Sequence, residues 1–240
     1  MLINGDCTTE LKKNKSESFN LIYSDPPYEM KYISNIPGSK HWNKKQITNS
    51  KFKSHLKGDD GGIDWQLIWK EFYRVLKNNS FLFLHLNFNF LMNYGKDIEN
   101  TGFKMKGVIA WSKKFAIGGD LKSSMKRDWE PIVYFVKGKP SFYPVEVLRK
   151  GNIEKRNRIS EIGDWEFMLK AKEKCGHPTQ KPVKLAKQII SLTTKEGEMI
   201  LDPFAGSGTA GLAARELKRN YLLIEDDKKI YNIMTKRLKI

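Results

Sequence analysis

Toward its C-terminal end, the sequence places a short apolar strand, a glycine-rich turn, a helix and a second short strand in direct succession. The strands are predicted at 199–201 and 221–224, and the helix at 208–217. Two neighbouring strands joined by a helical crossover lie parallel, because the crossover returns the chain to the edge of the sheet where it began. The pattern therefore predicts an α/β fold on a mainly parallel sheet.

The same alternation of strands and helices extends through most of the chain. Two segments lack this alternation. Residues 30–57 show no periodicity and are predicted to be a long basic loop, and residues 139–175 are predicted to be irregular. A mainly parallel sheet is covered by helices on both faces, so the sequence predicts one domain over 1–240. Further strands are predicted at 19–23, 80–86, 106–111 and 131–136, and helices after Asp64 and at 90–100 and 183–194.

The composition excludes several classes of protein. Apolar runs such as 81–84 are far too short to cross a bilayer, and the first residues lack the pattern of a secretory signal. Two cysteines cannot build a disulfide framework, and no second pair of ligands completes a metal site with Cys175 and His177. The sequence therefore predicts a cytoplasmic protein with no membrane segment and no bound metal.

The charge balance raises the question of a polyanionic partner. Lys and Arg number 43 against 27 Asp and Glu, which gives a formal net charge of +16. A nucleic acid would explain this surplus, and so would a Lys- and Asn-rich composition with a solvated surface. Charge alone favours neither explanation.

The glycine-rich turn at 202–209 has the composition of a cofactor-binding loop. Glycines let the backbone approach a ligand closely, and the N-terminus of the following helix attracts negative charge. Glu225 lies nineteen residues after Gly206, at the end of the next strand, where a carboxylate commonly binds ribose hydroxyls. The spacing differs from that of a dinucleotide fingerprint, so it favours a nucleoside cofactor with a carboxylate tail. A plain strand-to-helix turn is the alternative, and the placement of Glu225 disfavours it.

The second chemical motif is Asp25-Pro26-Pro27-Tyr28, directly after the strand at 19–23. The side chain of Asp25 and the carbonyl of Pro26 could each accept one N–H of an exocyclic amine, and would stabilise positive charge on its nitrogen in a transition state. Consecutive prolines fix the backbone, so these acceptors need no ordering when substrate binds. Tyr28 could stack on a base that has left the double helix. An ordinary turn is the alternative, which the nearby cofactor loop disfavours.

Together with His177-Pro178-Thr179-Gln180-Lys181-Pro182, these motifs resemble those of the S-adenosylmethionine-dependent DNA amino-methyltransferases. The catalytic motif precedes the cofactor motif, which is similar to the β-group order of that family. The resemblance implies a Rossmann-like, seven-stranded, mostly parallel sheet with one antiparallel strand and a small inserted recognition region. It also implies S-adenosylmethionine as the cofactor, held by Asp6, Asp25, Thr179, Lys181, Asp202, Phe204, Ala205, Gly206, Ser207, Gly208, Thr209 and Glu225, with Thr179 and Lys181 at its methionine end and Glu225 at its ribose.

The resemblance further implies which base is methylated. Asp in the first position of the tetrapeptide, here Asp25, is commoner in enzymes that resemble the adenine-N6 group, and Ser in the cytosine-N4 group. Adenine-N6 methylation of DNA is therefore the favoured prediction. Cytosine-N4 methylation, methylation of an RNA base and a catalytically inactive nucleic-acid-binding subunit are the alternatives.

Most of the net positive charge, +13 of +16, falls in two segments that these motifs place near the target base. Residues 30–57 hold seven lysines and no acidic residue, and 103–127 hold seven basic residues and one acidic residue. Basic segments with interleaved aromatic residues can neutralise phosphates and stack on unpaired bases. We therefore predict that 29–62 faces duplex or single-stranded DNA and that 139–175 recognises the target. The predicted contacts are Lys31, Lys40, Trp42, Lys44, Lys45, Lys113, Lys114, Arg156 and Arg158.

Two further partners are predictions from the same resemblance. Members of the β group suggest a homodimer, and a DNA methyltransferase of this kind can accompany a cognate restriction endonuclease in a bacterial or phage host.

Overall fold

The computed structural model describes residues 1–27, 63–117, 127–149, 152–156, 159–162, 164–177 and 179–239. The predicted basic loop at 29–62 lies outside the described residues. Within the described ranges, seven strands form one sheet in the order β1-β9-β8-β2-β3-β5-β4. The strands are β1 (Leu2–Asn4), β2 (Phe19–Ser24), β3 (Leu76–His85), β4 (Lys104–Ile117), β5 (Arg127–Lys137), β8 (Met199–Asp202) and β9 (Asn220–Glu225).

The direction of the strands confirms the predicted sheet. From β1 to β3 every neighbouring pair is parallel. Strand β5 runs antiparallel to both of its neighbours, β3 and β4. The sheet therefore has the predicted seven strands, of which one is antiparallel, and six strands end at the same edge.

Helices cover both faces of the sheet, as predicted. On one face α1 (Cys7–Lys12), α2 (Trp65–Val75) and α3 (Phe88–Asn100) cover a core that contains Trp69 and Phe72. On the other face α4 (Val183–Thr193), α5 (Thr209–Glu216) and α6 (Lys228–Leu238) cover a core that contains Ile189 and Ala213. None of the helices in the described part of the chain has both the length and the apolarity that a bilayer crossing needs.

Side-chain caps explain why several helices begin where they do. Asp6 accepts a hydrogen bond from the Thr9 amide at the start of α1. Asp64 does the same for Leu67 in α2, the helix that was predicted to follow this residue. Each cap satisfies an amide that the first turn of a helix leaves without an intrahelical partner.

Three differences from the predicted elements have local causes. The helix after Asp64 ends at Val75, because Leu76 is already extended and begins β3. The first strand and helix, β1 and α1, were missed because each is short. The prediction that 139–175 is irregular is wrong in part, because β6 (Val145–Arg149) and β7 (Asn152–Arg156) form an antiparallel hairpin within it. Its first strand begins with apolar and charged residues in alternation at 145–147, which is the pattern of a half-buried strand, but Leu148 breaks the alternation.

Candidate active site

The carboxyl edge of the parallel strands gathers the acidic residues of the predicted site. Asp25 follows β2, Asp202 ends β8 and Glu225 ends β9. Strands β8 and β2 are neighbours, but the chain leaves β8 toward β9 and leaves β2 toward β3. Their loops therefore diverge and open a crevice, which is the usual ligand site in an α/β sheet of this kind.

Asp202 joins the two loops at this crevice. The hydroxyl of Ser24, at the end of β2, donates to Asp202 Oδ1 at 2.8 Å. The amide of Phe204 donates to the same oxygen at 3.2 Å. Burial raises the pKa of Asp202 to about 7, although these two hydrogen bonds oppose the rise. A neutral or weakly charged carboxyl group thus fixes the start of the glycine loop to the catalytic strand.

The glycine loop itself is shaped by backbone conformation. Gly206 and Gly208 have φ angles of +50° and +74°, which side-chain-bearing residues rarely adopt. The Gly208 amide donates to the carbonyl of Ala205 at 2.8 Å, and the Ala205 amide donates to the carbonyl of Ile224 at 2.9 Å. A methyl group on Gly208 would lie 2.7 Å from Cγ of Met234. The loop is therefore held tightly against β9 and α6.

Arg237, on α6, secures the same loop and was not predicted from the sequence. Its Nη1 atom donates to the Ser207 carbonyl, the Ser207 hydroxyl and the Thr209 hydroxyl, each at 3.0 Å. One basic residue in the last turn of an amphipathic helix gives no signal of such a role, because only the packing of α6 brings it to the loop.

Glu225 faces the glycine loop from the end of β9. Its Oε2 accepts from the Gly206 amide at 2.8 Å, and its Oε1 accepts from the Asp227 amide at 3.0 Å. Burial raises its pKa to about 7 against the effect of both hydrogen bonds. Each carboxylate oxygen has two lone pairs, so both oxygens can still accept a hydroxyl donor. This pair of acceptor oxygens fits the ribose hydroxyls of a nucleoside cofactor.

The segment around Thr179 and Lys181 also reaches the glycine loop. The Thr209 hydroxyl donates to the Lys181 carbonyl at 3.1 Å. The ring of His177 lies against Gly206, 3.2 Å from where a Cβ atom would stand. Thr179 is exposed, whereas the Lys181 side chain is 10% exposed and turns toward Asp25. The two predicted cofactor residues of this segment therefore face different surroundings.

Asp25 has two carboxylate oxygens with different environments. Oδ2 lies 3.0 Å from Nζ of Lys181. Oδ1 is buried and has no hydrogen-bond partner among the residues that the structure describes. Burial raises the pKa of Asp25, and the Lys181 ammonium opposes this rise. The described part of the site thus contains a buried acceptor oxygen beside the crevice.

A second carboxylate shares the Lys181 ammonium. Glu130, at the start of β5, places Oε2 at 3.5 Å from Nζ of Lys181. Its other oxygen pairs with Lys113 of β4. Burial alone would raise the pKa of Glu130, but the two ammonium groups lower it overall. The charges therefore alternate through Asp25, Lys181, Glu130 and Lys113.

Behind this row lies a buried polar pair that the sequence did not reveal. The Tyr23 hydroxyl and Nε2 of His85 are 2.8 Å apart. Burial holds the pKa of His85 well below its ordinary value, so the ring is neutral near pH 7. Its ring packs edge-to-face on Trp111 at 5.9 Å. Only the pairing of β2 with β3 brings these residues together.

The remaining predicted residues have different outcomes. Asp6 is an exposed helix cap near the end of β1, and Phe204 packs 5.9 Å from the ring of Trp65. Lys113 is engaged by Glu130, as described above. Lys114 and Arg156 belong to strands, but their side chains lie outside the described residues. Tyr28, Lys31, Lys40, Trp42, Lys44, Lys45 and Arg158 lie outside the described residues altogether.

A seven-stranded sheet with one antiparallel strand, a glycine loop after one strand and a ribose-type carboxylate after the next defines an α/β nucleoside-cofactor methyltransferase. A family model described as DNA methylase, covering N6 and N4 methyltransferases, matches residues 19–236. The chain therefore belongs to the N6/N4 DNA methylase family. It is a DNA methyltransferase whose cofactor is S-adenosylmethionine, as predicted, and DNA is its substrate.

Individual relatives agree with this assignment. The chain is similar to the type II methyltransferase M2.DpnII of Streptococcus pneumoniae, with 30% identity over 250 residues that cover 99% of this chain and 89% of that protein. Its fold is similar to that of M1.HpyAVI in complex with S-adenosylmethionine, with a TM-score of 0.66, 23% identity and coverage of 99% and 98%. It is equally similar in fold to the cytosine-N4-specific PvuII DNA methyltransferase, with a TM-score of 0.66, 18% identity and coverage of 98% and 85%. The fold therefore does not select the base.

Proposed function

We propose that this protein transfers the methyl group of S-adenosylmethionine to the exocyclic N6 of a flipped-out adenine in DNA. The buried, unshared oxygen of Asp25 carries this proposal, since it stands at the crevice between β8 and β2 beside the cofactor loop. The tetrapeptide that begins with Asp25 favours adenine over cytosine. Both bases present the same type of amine, so the choice of base rests on this motif.

Asp25 and Pro26 act on the amine of the target base. The lone pair of that amine is delocalised into the ring, which makes the nitrogen a poor nucleophile. Acceptance of its two N–H groups by the Asp25 carboxylate and the Pro26 carbonyl directs the lone pair out of the ring plane. The same acceptors would stabilise the positive charge that grows on the nitrogen as the new N–C bond forms and the sulfonium S–C bond breaks, and the Asp25 carboxylate would then accept the N–H proton that the methylated amine loses. Pro27 stiffens the loop, and Tyr28 stacks on the base.

The cofactor is held by the loop after β8 and the carboxylate after β9. Bound S-adenosylmethionine supplies an activated methyl group on a sulfonium sulfur. Glu225 accepts the ribose hydroxyls, and residues 202–209 surround the cofactor with backbone. Asp6, Asp25, Thr179 and Lys181 complete the binding set predicted from the motifs.

The identity of the methylated base tests the function directly. The protein is expressed in a host that lacks DNA methylation, and the nucleosides of its DNA are analysed by mass spectrometry. N6-methyladenine is expected. Detection of N4-methylcytosine would instead show that the protein is a cytosine-N4 methyltransferase. If the DNA is unmodified and the purified protein methylates RNA, the result would favour methylation of an RNA base. If neither DNA nor RNA is methylated, the result would favour a catalytically inactive subunit.

The DNA interface is proposed on charge. Lys113, Lys114, Arg156 and Arg158, together with the lysines and Trp42 of 29–62, are the proposed contacts, and 139–175 is the proposed recognition segment. Phosphate contacts release counterions, so the affinity for DNA should fall steeply as salt increases. An affinity that hardly changes with salt would contradict this interface.

Three broader predictions accompany the function. A homodimer is tested by light scattering of the purified protein. If a cognate restriction endonuclease exists, DNA that this protein has methylated should resist cleavage by that endonuclease. A cytoplasmic location in a bacterial or phage-infected cell is tested by cell fractionation.

A further inference from the structure

The two oxygens of Asp25 are not equivalent, and Lys181 causes the difference. Oδ2 receives the Lys181 ammonium at 3.0 Å, whereas Oδ1 is buried with no partner in the described part of the chain. A buried acceptor without a hydrogen bond is costly, so proteins retain one chiefly where a ligand will satisfy it. The unshared oxygen is therefore the one available to a substrate N–H.

Lys181 is held in place from several sides. Its side chain is 10% exposed, and its ammonium lies 3.5 Å from Oε2 of Glu130 and 5.9 Å from the ring centre of Trp111. Its backbone carbonyl accepts from the Thr209 hydroxyl. A lysine with a buried stem and two carboxylate partners keeps a defined position, unlike a solvated surface lysine.

We propose that Lys181 is a positioning residue for the methyl-transfer reaction. Its ammonium group binds Oδ2 of Asp25, favours the ionised form of the carboxylate and leaves Oδ1 for the target amine. Glu130 competes for the same ammonium group and thereby sets how strongly Lys181 acts on Asp25. This inference rests on the proposed function of Asp25. It assigns Lys181 a role in the chemical step, beyond any contact with the methionine end of the cofactor.

Several charged groups act on Asp25, and their signs decide the expected pH dependence. Lys181 and Lys113 favour its ionised form, and Glu130 disfavours it. Asp202 of β8 lies behind it, and Tyr23 and His85 are buried nearby on β2 and β3. Removal of the Lys181 charge should make Asp25 harder to ionise, whereas removal of the Glu130 charge should make it easier.

The test measures single-turnover methyl transfer against pH at saturating S-adenosylmethionine. For Lys181→Met, we expect the acid limb of the profile to move up by at least about one pH unit and the rate at pH 7 to fall about 100-fold. Lys181→Arg keeps the charge and should restore most of the rate and the position of the limb. For Glu130→Gln, the limb should move down, in the opposite direction to Lys181→Met.

A matched control removes a different paired lysine. Lys187 lies on α4, and its Nζ pairs with Oε2 of Glu216, on α5, at 2.9 Å. Lys187→Met should leave the acid limb where the wild-type protein has it. Should Lys181→Met fail to fold, the shift in Glu130→Gln and the retained limb in Lys181→Arg still decide the matter.

Two results separate this inference from the function on which it rests. If the wild-type protein methylates no base, the proposed function fails before the variants are compared. If the wild-type protein is active, but Lys181→Met only weakens binding of S-adenosylmethionine and neither variant moves the acid limb, Lys181 serves the cofactor alone and the inference is overturned.

Discussion

The loops after β2 and β8 each present an aspartate to the same crevice, but the two residues are held in opposite ways. Asp25 receives an ammonium group on one oxygen and keeps the other unshared among the described residues. Asp202 receives a hydroxyl and a backbone amide on one oxygen. The pKa of Asp202 is raised to about 7 by burial.

This difference shows that the residue type alone does not define the role. A cation beside a buried carboxylate opposes the rise in pKa that burial causes, and the ionised form that it favours is suited to stabilise developing positive charge. A buried carboxyl group that meets only neutral donors is suited to fix one loop to another. We therefore expect the β2 loop to act through the charge of a side chain and the β8 loop to act through its backbone.

The largest expected effect tests the β2 loop. Asp25→Ala removes the acceptor and should lower methyl transfer by about 1,000-fold, because the charge on the amine nitrogen loses its main stabilising group. Binding of S-adenosylmethionine, measured by calorimetry, should stay within about threefold, since the lost interaction belongs to the transition state. Turnover near the wild-type rate would show that Asp25 takes no part in the chemical step, and the proposed difference in role between Asp25 and Asp202 would then be wrong.

The next effect should fall on binding instead of chemistry. Glu225→Ala should weaken binding of S-adenosylmethionine about 100-fold, because two hydrogen bonds from the ribose to the buried carboxyl group are lost at about 1.5 kcal/mol each. Glu225→Gln keeps one acceptor and should lose less. At saturating cofactor, both variants should transfer methyl groups at close to the wild-type rate. If these variants lost most of their methyl-transfer rate but kept their affinity for S-adenosylmethionine, the assignment of cofactor binding to Glu225 and of chemistry to the β2 loop would be wrong.

The sequence predicts this division only in part. The parallel sheet and both loops followed from strand length, apolar content, prolines and glycines, which act locally. The tie from Ser24 to Asp202 and the ion pair from Lys181 to Asp25 join residues far apart in the chain, and no local pattern marks them. The hairpin of β6 and β7 was missed for another reason, since its alternation is short and lies among charged residues.

The backbone role of the β8 loop is tested by stability. Gly208→Ala forces a side chain into a left-handed conformation and against the buried side chain of Met234. Gly197 provides a matched control, because its φ of +79° is similar and no heavy atom lies within 4 Å of an added Cβ. Urea unfolding should show a loss of about 1 kcal/mol for Gly197→Ala and about 2 kcal/mol more for Gly208→Ala. Equal losses would mean that the contact with α6 contributes nothing.

The last prediction concerns the hydrogen bond from Ser24 to Asp202 and appears as a pH dependence. Because the folded-state pKa of Asp202 is raised from 3.8 to about 7, the folded protein binds more protons than the unfolded chain between these values. The free energy of unfolding should therefore decrease as the pH rises through this window, and Asp202 should contribute up to about 1.4 kcal/mol per pH unit to the slope.

Asp202→Asn should make that slope shallower, because an asparagine does not titrate while its amide oxygen can still accept from Ser24 and Phe204. Glu225, whose pKa is also raised to about 7, should leave a residual slope in the variant. Urea unfolding of both proteins from pH 5 to pH 8 measures the difference. Identical slopes would show that Asp202 is ionised throughout this range, so that no neutral carboxyl group fixes the start of the glycine loop to β2.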